Sequence, residues 1–372
     1  MEHAAPQPVP VPRPVPAPKS IPGPPAGLLP VVERGDATKR LQGVLHNPQA
    51  QFRGQQFEAF QHLIHRQAHV LWVAPTGGGK TLPFQLAMKS WPRRVCGLMV
   101  LPYKVLHHDM HRRMQEMGLT ASEWTRHNPS PGSRVITVSI EYFKDEAFLT
   151  LLNTMATELR LGAIIFDEAH GLMEDTKWRQ MYLGALRHVL SFPNVVCHFM
   201  SATFPPAFVN DFWMMIGYKY QPNEAFRVLR SSTQRPNHFY QILNLGMGWQ
   251  QKGDQKWLDN WLARTVEEIN HRAAFLSGKE RGLVFLTGEE ETRTWAEALG
   301  CPAITGKTSS EDRTKAYVDW RQGIFKMLCT NKAGYYGTDY PDVAFSIHVD
   351  RPRSLTEWAQ SCGRVGRDGA PS

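Results

Sequence analysis

The sequence predicts an α/β fold of layered domains, each a parallel sheet with helices packed on it. Short apolar runs rich in β-formers alternate with helix-compatible stretches. Glycines, hydroxyls and acids collect at the C-terminal ends of those runs, where open α/β sheets carry their chemistry. A second alternating set follows a polar, proline-containing seam and lacks the glycine loop of the first. At 372 residues the chain has room for about two such domains. The expected division is a proline-rich tail over 1–36, a first domain over 37–230 and a second over 231–372.

In the tail, Pro6, Pro8, Pro10, Pro12, Pro14, Pro16 and Pro18 alternate with small or apolar residues. Such a stretch builds neither a ladder nor a core, so it should be extended and mobile. A solvated tail is the preferred reading, and a docking site for a proline-binding module is the other. Folded sequence is expected from about Ala37. Phe52-Arg53-Gly54-Gln55-Gln56 precedes an apolar-periodic helix, Phe57 to His65. A glutamine just ahead of a nucleotide site can read an adenine edge with its donor and acceptor together.

The glycine loop organises the first domain. Val70-Leu71-Trp72-Val73 breaks into Ala74-Pro75-Thr76-Gly77-Gly78-Gly79-Lys80-Thr81, then a helix-compatible stretch, Leu82 to Ser90. Strand, glycine loop and helix in that order make a nest of backbone N–H groups for phosphate, aided by the helix N-terminus. Lys80 can reach the β/γ-phosphates and the Thr81 hydroxyl can ligate Mg²⁺. Ala74 stands where the motif usually has its first glycine. The expectation is a bound nucleoside triphosphate.

Further strands are expected at Val95 to Leu101, with Arg112 and Arg113 on the helix after it, and at Val135 to Ile140. Leu161 to Phe166 then runs into Asp167-Glu168-Ala169-His170. An apolar strand ending in paired acids supplies the second half of a phosphate site: Asp167 for Mg²⁺, Glu168 to orient and deprotonate water. His170 is read either as a link to neighbouring loops or as packing. Val195 to Met200 ends at Ser201-Ala202-Thr203, whose hydroxyls can bond the acids.

After the seam, residues 249–275 read as an amphipathic helix carrying Trp249, Trp257 and Trp261, with the tryptophans in a core or interface. Leu283 to Leu286, a helix from Glu289 to Leu299, Phe325 to Thr330 and Phe345 to Val349 complete the second set. It ends in Gln360-Ser-Cys-Gly-Arg364-Val-Gly-Arg367-Asp-Gly. Arginine suits bidentate phosphate contact, and the glycines allow close approach. Facing Lys80 across a cleft, Arg364 and Arg367 would complete the site.

Composition narrows the field. A net charge of +8 fits a polyanionic partner. Five scattered cysteines without a Cys-x-x-Cys pair suggest neither a disulfide framework nor zinc, and read as free thiols. No apolar run is long enough to span a membrane, and the N-terminus lacks a signal-peptide core. An intracellular protein, nuclear if eukaryotic, and a monomer are expected.

Together these motifs resemble a superfamily 2 helicase core, most closely the RecQ-like family, over roughly residues 45–372. Phe52-Arg53-x-x-Gln56 is similar to the family's adenine motif, with Gln55 as fallback. Asp167 to His170 matches a DEAH box, Gln234 to Asn237 the opening of the second domain, and Thr330 to Val343 the motif placing Gly337 and Asp339. Gln360 to Gly369 is the most specific match. The resemblance implies two RecA-like P-loop domains with ATP in the cleft between them. ATP would be held by Arg53, Gln56, Ala74 to Thr81, Asp339 and Gln360. Lys80, Asp167, Glu168, Arg364 and Arg367 would act on it, with Mg²⁺ on Thr81 and Asp167. It further implies 3′ to 5′ DNA unwinding, with the segments at Pro102-Tyr103, Ser139 to Tyr142 and Thr330 facing the strand.

The departures are specific. The family's aromatic-rich loop after the DEAH box reads Gly171 to Tyr182 here, with Trp178, Arg179 and Tyr182 in its second half and no aromatic in its first. Ser201-Ala-Thr203 is nearer the DEAD-box form. Gly334 to Gly337 is longer by one, and Ala303 to Lys307 replaces a Tyr-His turn. No zinc-binding and winged-helix region follows before Ser372. The tail and spacings are similar to RecQ-like helicases encoded near fungal telomeres. The alternatives are a truncated core binding nucleic acid as a scaffold with weak ATPase, or an RNA helicase.

Overall fold

The computed structural model describes residues 32–372 apart from 67, 103–104, 129–131, 175, 193, 218–225, 244–254, 332–339, 350, 368 and 370. The first domain is built on a seven-stranded parallel sheet. Its strands are β1 (His69–Val73), β2 (Cys96–Leu101), β3 (Ala121–Glu123), β4 (Val135–Ser139), β5 (Leu161–Phe166), β6 (Val196–Ser201) and β7 (Phe226–Arg230), in the order β3-β4-β2-β5-β6-β1-β7. The central strands are buried along their whole length, because helices cover both faces. Alternate residues feed two cores. Leu71 and Val73 join one with Ile164 and Phe166, and Val70 and Trp72 the other with Ala163 and Ile165.

The helices are α1 (Arg34–Leu45), α2 (Gln56–His65), α3 (Leu82–Ser90), α4 (Val105–Glu116), α5 (Glu146–Thr157), α6 (Gly171–Glu174), α7 (Thr176–Leu190) and α8 (Phe208–Met215). α3 and β5 keep the expected bounds. α1 begins at Arg34, inside the stretch assigned to the tail, because Ala37 and Leu41 bury its inner face. Arg112 and Arg113 on α4 are paired with Asp109 and Glu116 of the same helix.

Two differences stand out. Phe226–Arg230, running up to the seam that the sequence places near Arg230 to Asn237 and not marked as a strand there, is a strand on β1, with buried positions only at Phe226 and Leu229. The stretch from Gly171 to Tyr182, expected as a loop, is taken up by α6 and α7. Leu186, Val189 and Leu190 share the inner face of α7 and join the core. The side chains of Trp178, Arg179 and Tyr182 lie outside the described residues.

The second domain carries a parallel sheet of β8 (Arg281–Phe285), β9 (Ala303–Ile304), β10 (Met327–Thr330) and β11 (Val343–His348), ordered β11-β8-β10-β9. Around it lie α9 (Gln255–Ala274), α10 (Glu289–Ala298), α11 (Ser310–Gln322) and α12 (Leu355–Cys362). Leu283, Phe285 and Leu328 face one core, and Val284, Met327 and Cys329 the other. Trp261 packs on the second core, edge-on to Trp295 at 5.2 Å. Trp249 lies outside the described residues. No helix among the described residues is long and apolar enough to cross a membrane.

Candidate nucleotide site between the two domains

β1, β6 and β5 lie side by side, so the glycine loop, Ser201 and the acid pair emerge together at one edge of the sheet. Backbone bonds fix the spacing: Ala74 N donates to Ser201 O at 3.1 Å and Ala169 N to Met200 O at 2.8 Å. In the loop, Gly77 and Gly79 have φ of +77° and +68°, a region costly for any side chain. An added Cβ at Gly78 would lie 2.9 Å from the Pro75 carbonyl. Lys80 Nζ curls back onto Ala74 O at 3.0 Å and Pro75 O at 3.1 Å. Thr81 opens α3, and its hydroxyl makes no capping bond.

Gln56 is buried against this loop. Its Oε1 accepts from Arg53 N at 2.8 Å, and its Nε2 donates to Gly78 O at 3.1 Å and Gly79 O at 3.3 Å. Here both ends of the amide are spent on backbone, so Gln56 braces the loop. Gln55, the fallback, accepts from Ser231 Oγ at 3.4 Å.

Asp167 accepts from Glu168 N at 3.0 Å. Burial, then the Glu168 charge, push its carboxyl up to about 6, against the pull of Lys80. Burial lowers the Lys80 ammonium; Glu168 and Asp167 oppose that, while Arg367 and Arg364 reinforce it. Cations of the second domain are therefore within electrostatic reach of the first domain's lysine. Glu168 sits at φ +51°, a left-handed conformation unusual outside glycine. Its Oε2 lies 3.3 Å from His170 Nδ1. His170 is buried and also meets Ser201 Oγ at 3.0 Å.

From the other domain, α12 delivers Gln360 onto the His170 ring and onto Thr203 Oγ1 at 3.2 Å. Gly363 follows, so close that an added Cβ would lie 3.0 Å from Thr76 Oγ1 of the glycine loop. Arg364 and Arg367 occupy the turn after it, half-buried, with Arg367 Nε donating to Gly363 O at 3.3 Å.

The family model described as DEAD/DEAH box helicase matches residues 53–212, and that for the helicase conserved C-terminal domain matches 264–369. ATP-dependent DNA helicase Q1 of Rattus norvegicus is 26% identical over 344 residues, 85% of this chain and 51% of that protein. RecQ-like DNA helicase blm-1 of Caenorhabditis elegans is 26% identical over 323 residues, 81% of this chain and 30% of that protein. The chain carries the two domains of a DEAD/DEAH box helicase core, and over most of its length it is similar to RecQ-like DNA helicases. It spans about half or less of the length of these relatives. Among solved structures, S. cerevisiae Dbp5 bound to RNA and ADP BeF3 shares the fold, with a TM-score of 0.65 at 17% identity, covering 92% of this chain and 85% of that one.

Residues in and just past the seam hold the second half of the site. Arg235 donates to the carbonyls of Val365, at 3.1 Å, and Gly366; Asn237 Nδ2 donates to Gly366 O at 3.0 Å. His238 Nε2 lies 3.0 Å from Val365 O. These three hold the turn that carries both arginines. The similarity of Gln234 to Asn237 to the family's domain opening covers Arg235 and Asn237; no sequence signal marks His238. Gly337 and Asp339 lie outside the described residues, as does Tyr103. Thr330 is buried, its hydroxyl donating to Ile304 O at 3.1 Å.

Proposed function

We propose that this helicase core hydrolyses ATP in the interdomain cleft and uses the cycle to move 3′ to 5′ along DNA, unwinding duplex. One observation carries the reading: α12 of the second domain sets Gln360 on His170 and Thr203 and Gly363 against Thr76, which brings the turn of Arg364 and Arg367 to the glycine loop and acid pair of the first. No single-domain role needs that arrangement.

In this reading the backbone N–H groups of residues 77 to 81 cradle the phosphates, and Lys80 neutralises the β/γ oxygens. The donor set at Thr81 and Asp167 fits Mg²⁺. Two neighbouring carboxylates, one raised to about 6 by burial and its neighbour, want a cation. Mg²⁺ would supply charge neutralisation at the phosphates. Glu168, held in its strained conformation, orients and deprotonates the attacking water. Arg364 and Arg367 meet the charge that develops on the transferred group. ATP then draws the domains together, and hydrolysis releases them. Gln360, His170 and Thr203 report closure to the acid pair. Arg53, Gln56 and Asp339 complete the nucleotide contacts, Gln56 by supporting the loop.

Single-stranded DNA is the proposed track, in the nucleus, with the chain working as a monomer and the proline-rich tail offered to a proline-binding module. The Ser201-Ala-Thr203 form keeps RNA as the second reading. ATPase measured with no nucleic acid, single-stranded DNA or RNA, and unwinding of duplexes with 3′ or 5′ overhangs, test these points. Turnover indifferent to every nucleic acid would defeat the translocase reading; stimulation by RNA alone would replace DNA with RNA.

A further inference from the structure

Cys301 and Cys329 bring their sulfurs to 3.6 Å in the second domain. Backbone on both sides sets this proximity. Cys329 lies in β10 and pairs with Ala303 of β9, its amide donating to Pro302 O at 3.0 Å. Cys301 sits in the turn between α10 and β9, its amide donating to Ala296 O at 2.9 Å. Cys329 is fully buried, while Cys301 is half-buried. Cys96, Cys197 and Cys362 are buried.

We propose that Cys301 and Cys329 are a peroxide-oxidisable dithiol that closes to an intramolecular disulfide. The assignment depends on no property of the nucleotide site. Cys301 is the attacking group: the hydrogen bond from Cys329 holds its thiol below the usual range, whereas burial pushes Cys96 up to about 11 and Cys362 to about 12. The Cys301 thiolate attacks one oxygen of hydrogen peroxide. The O–O bond breaks, and the departing hydroxide takes up the proton that the Cys301 thiol released on ionising and leaves as water, giving a sulfenic acid. The Cys329 sulfur then attacks the Cys301 sulfur. The S–O bond breaks, and the departing hydroxide carries off the Cys329 proton as water. In sum, two thiols and one peroxide become a disulfide and two waters. The sulfurs must close from 3.6 Å to about 2.05 Å. The cross-link ties the turn before β9 to β10 and encloses α11.

The test is mass spectrometry of the full chain after brief hydrogen peroxide treatment. A loss of about 2 Da, reversed by dithiothreitol, is expected. Thiols titrated in denaturant should fall from five to three, with peptide mapping joining Cys301 to Cys329. The oxidised chain should unfold at least about 3 °C higher than the reduced one. In Cys301→Ser the loss should vanish. In Cys329→Ser oxidation should stop at a sulfenic acid on residue 301 that dimedone traps. Stepwise oxygen addition at Cys301 in the wild type without cross-linking, or an equal yield of disulfide in Cys301→Ser, would overturn the assignment. Should Cys329→Ser not fold, the wild-type map and Cys301→Ser decide it.

Discussion

The side-chain amide of Gln360, on the second domain, rests on the imidazole of His170, in the acid box of the first. The same amide nitrogen donates to Thr203 Oγ1 at 3.2 Å, and His170 Nδ1 lies 3.3 Å from Glu168 Oε2. A single side chain thus touches both the acid box and the strand end beside the glycine loop.

Removing that contact should uncouple rather than inactivate. In Gln360→Ala, the ratio of ATPase with saturating single-stranded DNA to ATPase without it is expected to fall about five- to fiftyfold. His170→Ala should do the same, and the double variant should fall little further, since both act through one contact. Steady-state ATPase with and without DNA reads all three.

The arginine turn makes a different demand. Arg364→Ala or Arg367→Ala should lower kcat on the order of 10³-fold while ATP affinity changes less than about tenfold. Lysine in place of either arginine should not restore turnover, because an ammonium cannot match a planar fork. Parallel measurements of kcat and equilibrium nucleotide binding separate the two effects.

On the first domain, Lys80→Ala and Glu168→Gln should each reduce hydrolysis at least about 100-fold. Neither change should disturb single-strand binding measured by fluorescence anisotropy. Turnover near wild type in either variant would remove these residues from the site.

Acid should unfold the first domain through its histidines. Burial lowers His62 to about 4 and His69 to about 3, and holds His198 well below the ordinary range. Their folded values lie below the unfolded 6.5, so their contribution is whole above about pH 6.5. It is lost as pH falls towards 4 and 3, each group giving up to about 1.4 kcal/mol per pH unit. Asp167 runs the other way: its carboxyl, raised to about 6, favours folding as pH drops from 6 towards 4. The histidines outnumber it, so the denaturant midpoint should fall steeply between pH 6.5 and 4. His198→Leu should flatten that slope.

Much of the site was legible because its chemistry is local. A phosphate nest needs left-handed backbone at Gly77 and Gly79, and only glycine supplies that cheaply. The acid pair needs a buried strand before it, and Leu161 to Phe166 is one. Less visible were contacts made by ordinary polar residues. Gln56 was expected to face a base, yet its amide is bound to Arg53, Gly78 and Gly79. Nothing in its neighbourhood of sequence says which acceptors the fold will bring. The strand character of β7 comes from pairing with β1, not from its own alternation.

An α/β architecture, a glycine loop, an acid pair and a basic turn can be read from consecutive residues, since periodicity and backbone permissiveness are local properties. The packing of Gly363 against Thr76, the hold of Arg235 and Asn237 on the arginine turn, and the meeting of Cys301 with Cys329 come from the folded chain alone. Those relations join residues far apart in the chain, and what brings them together is the burial of two sheets' faces and the bonds between domains.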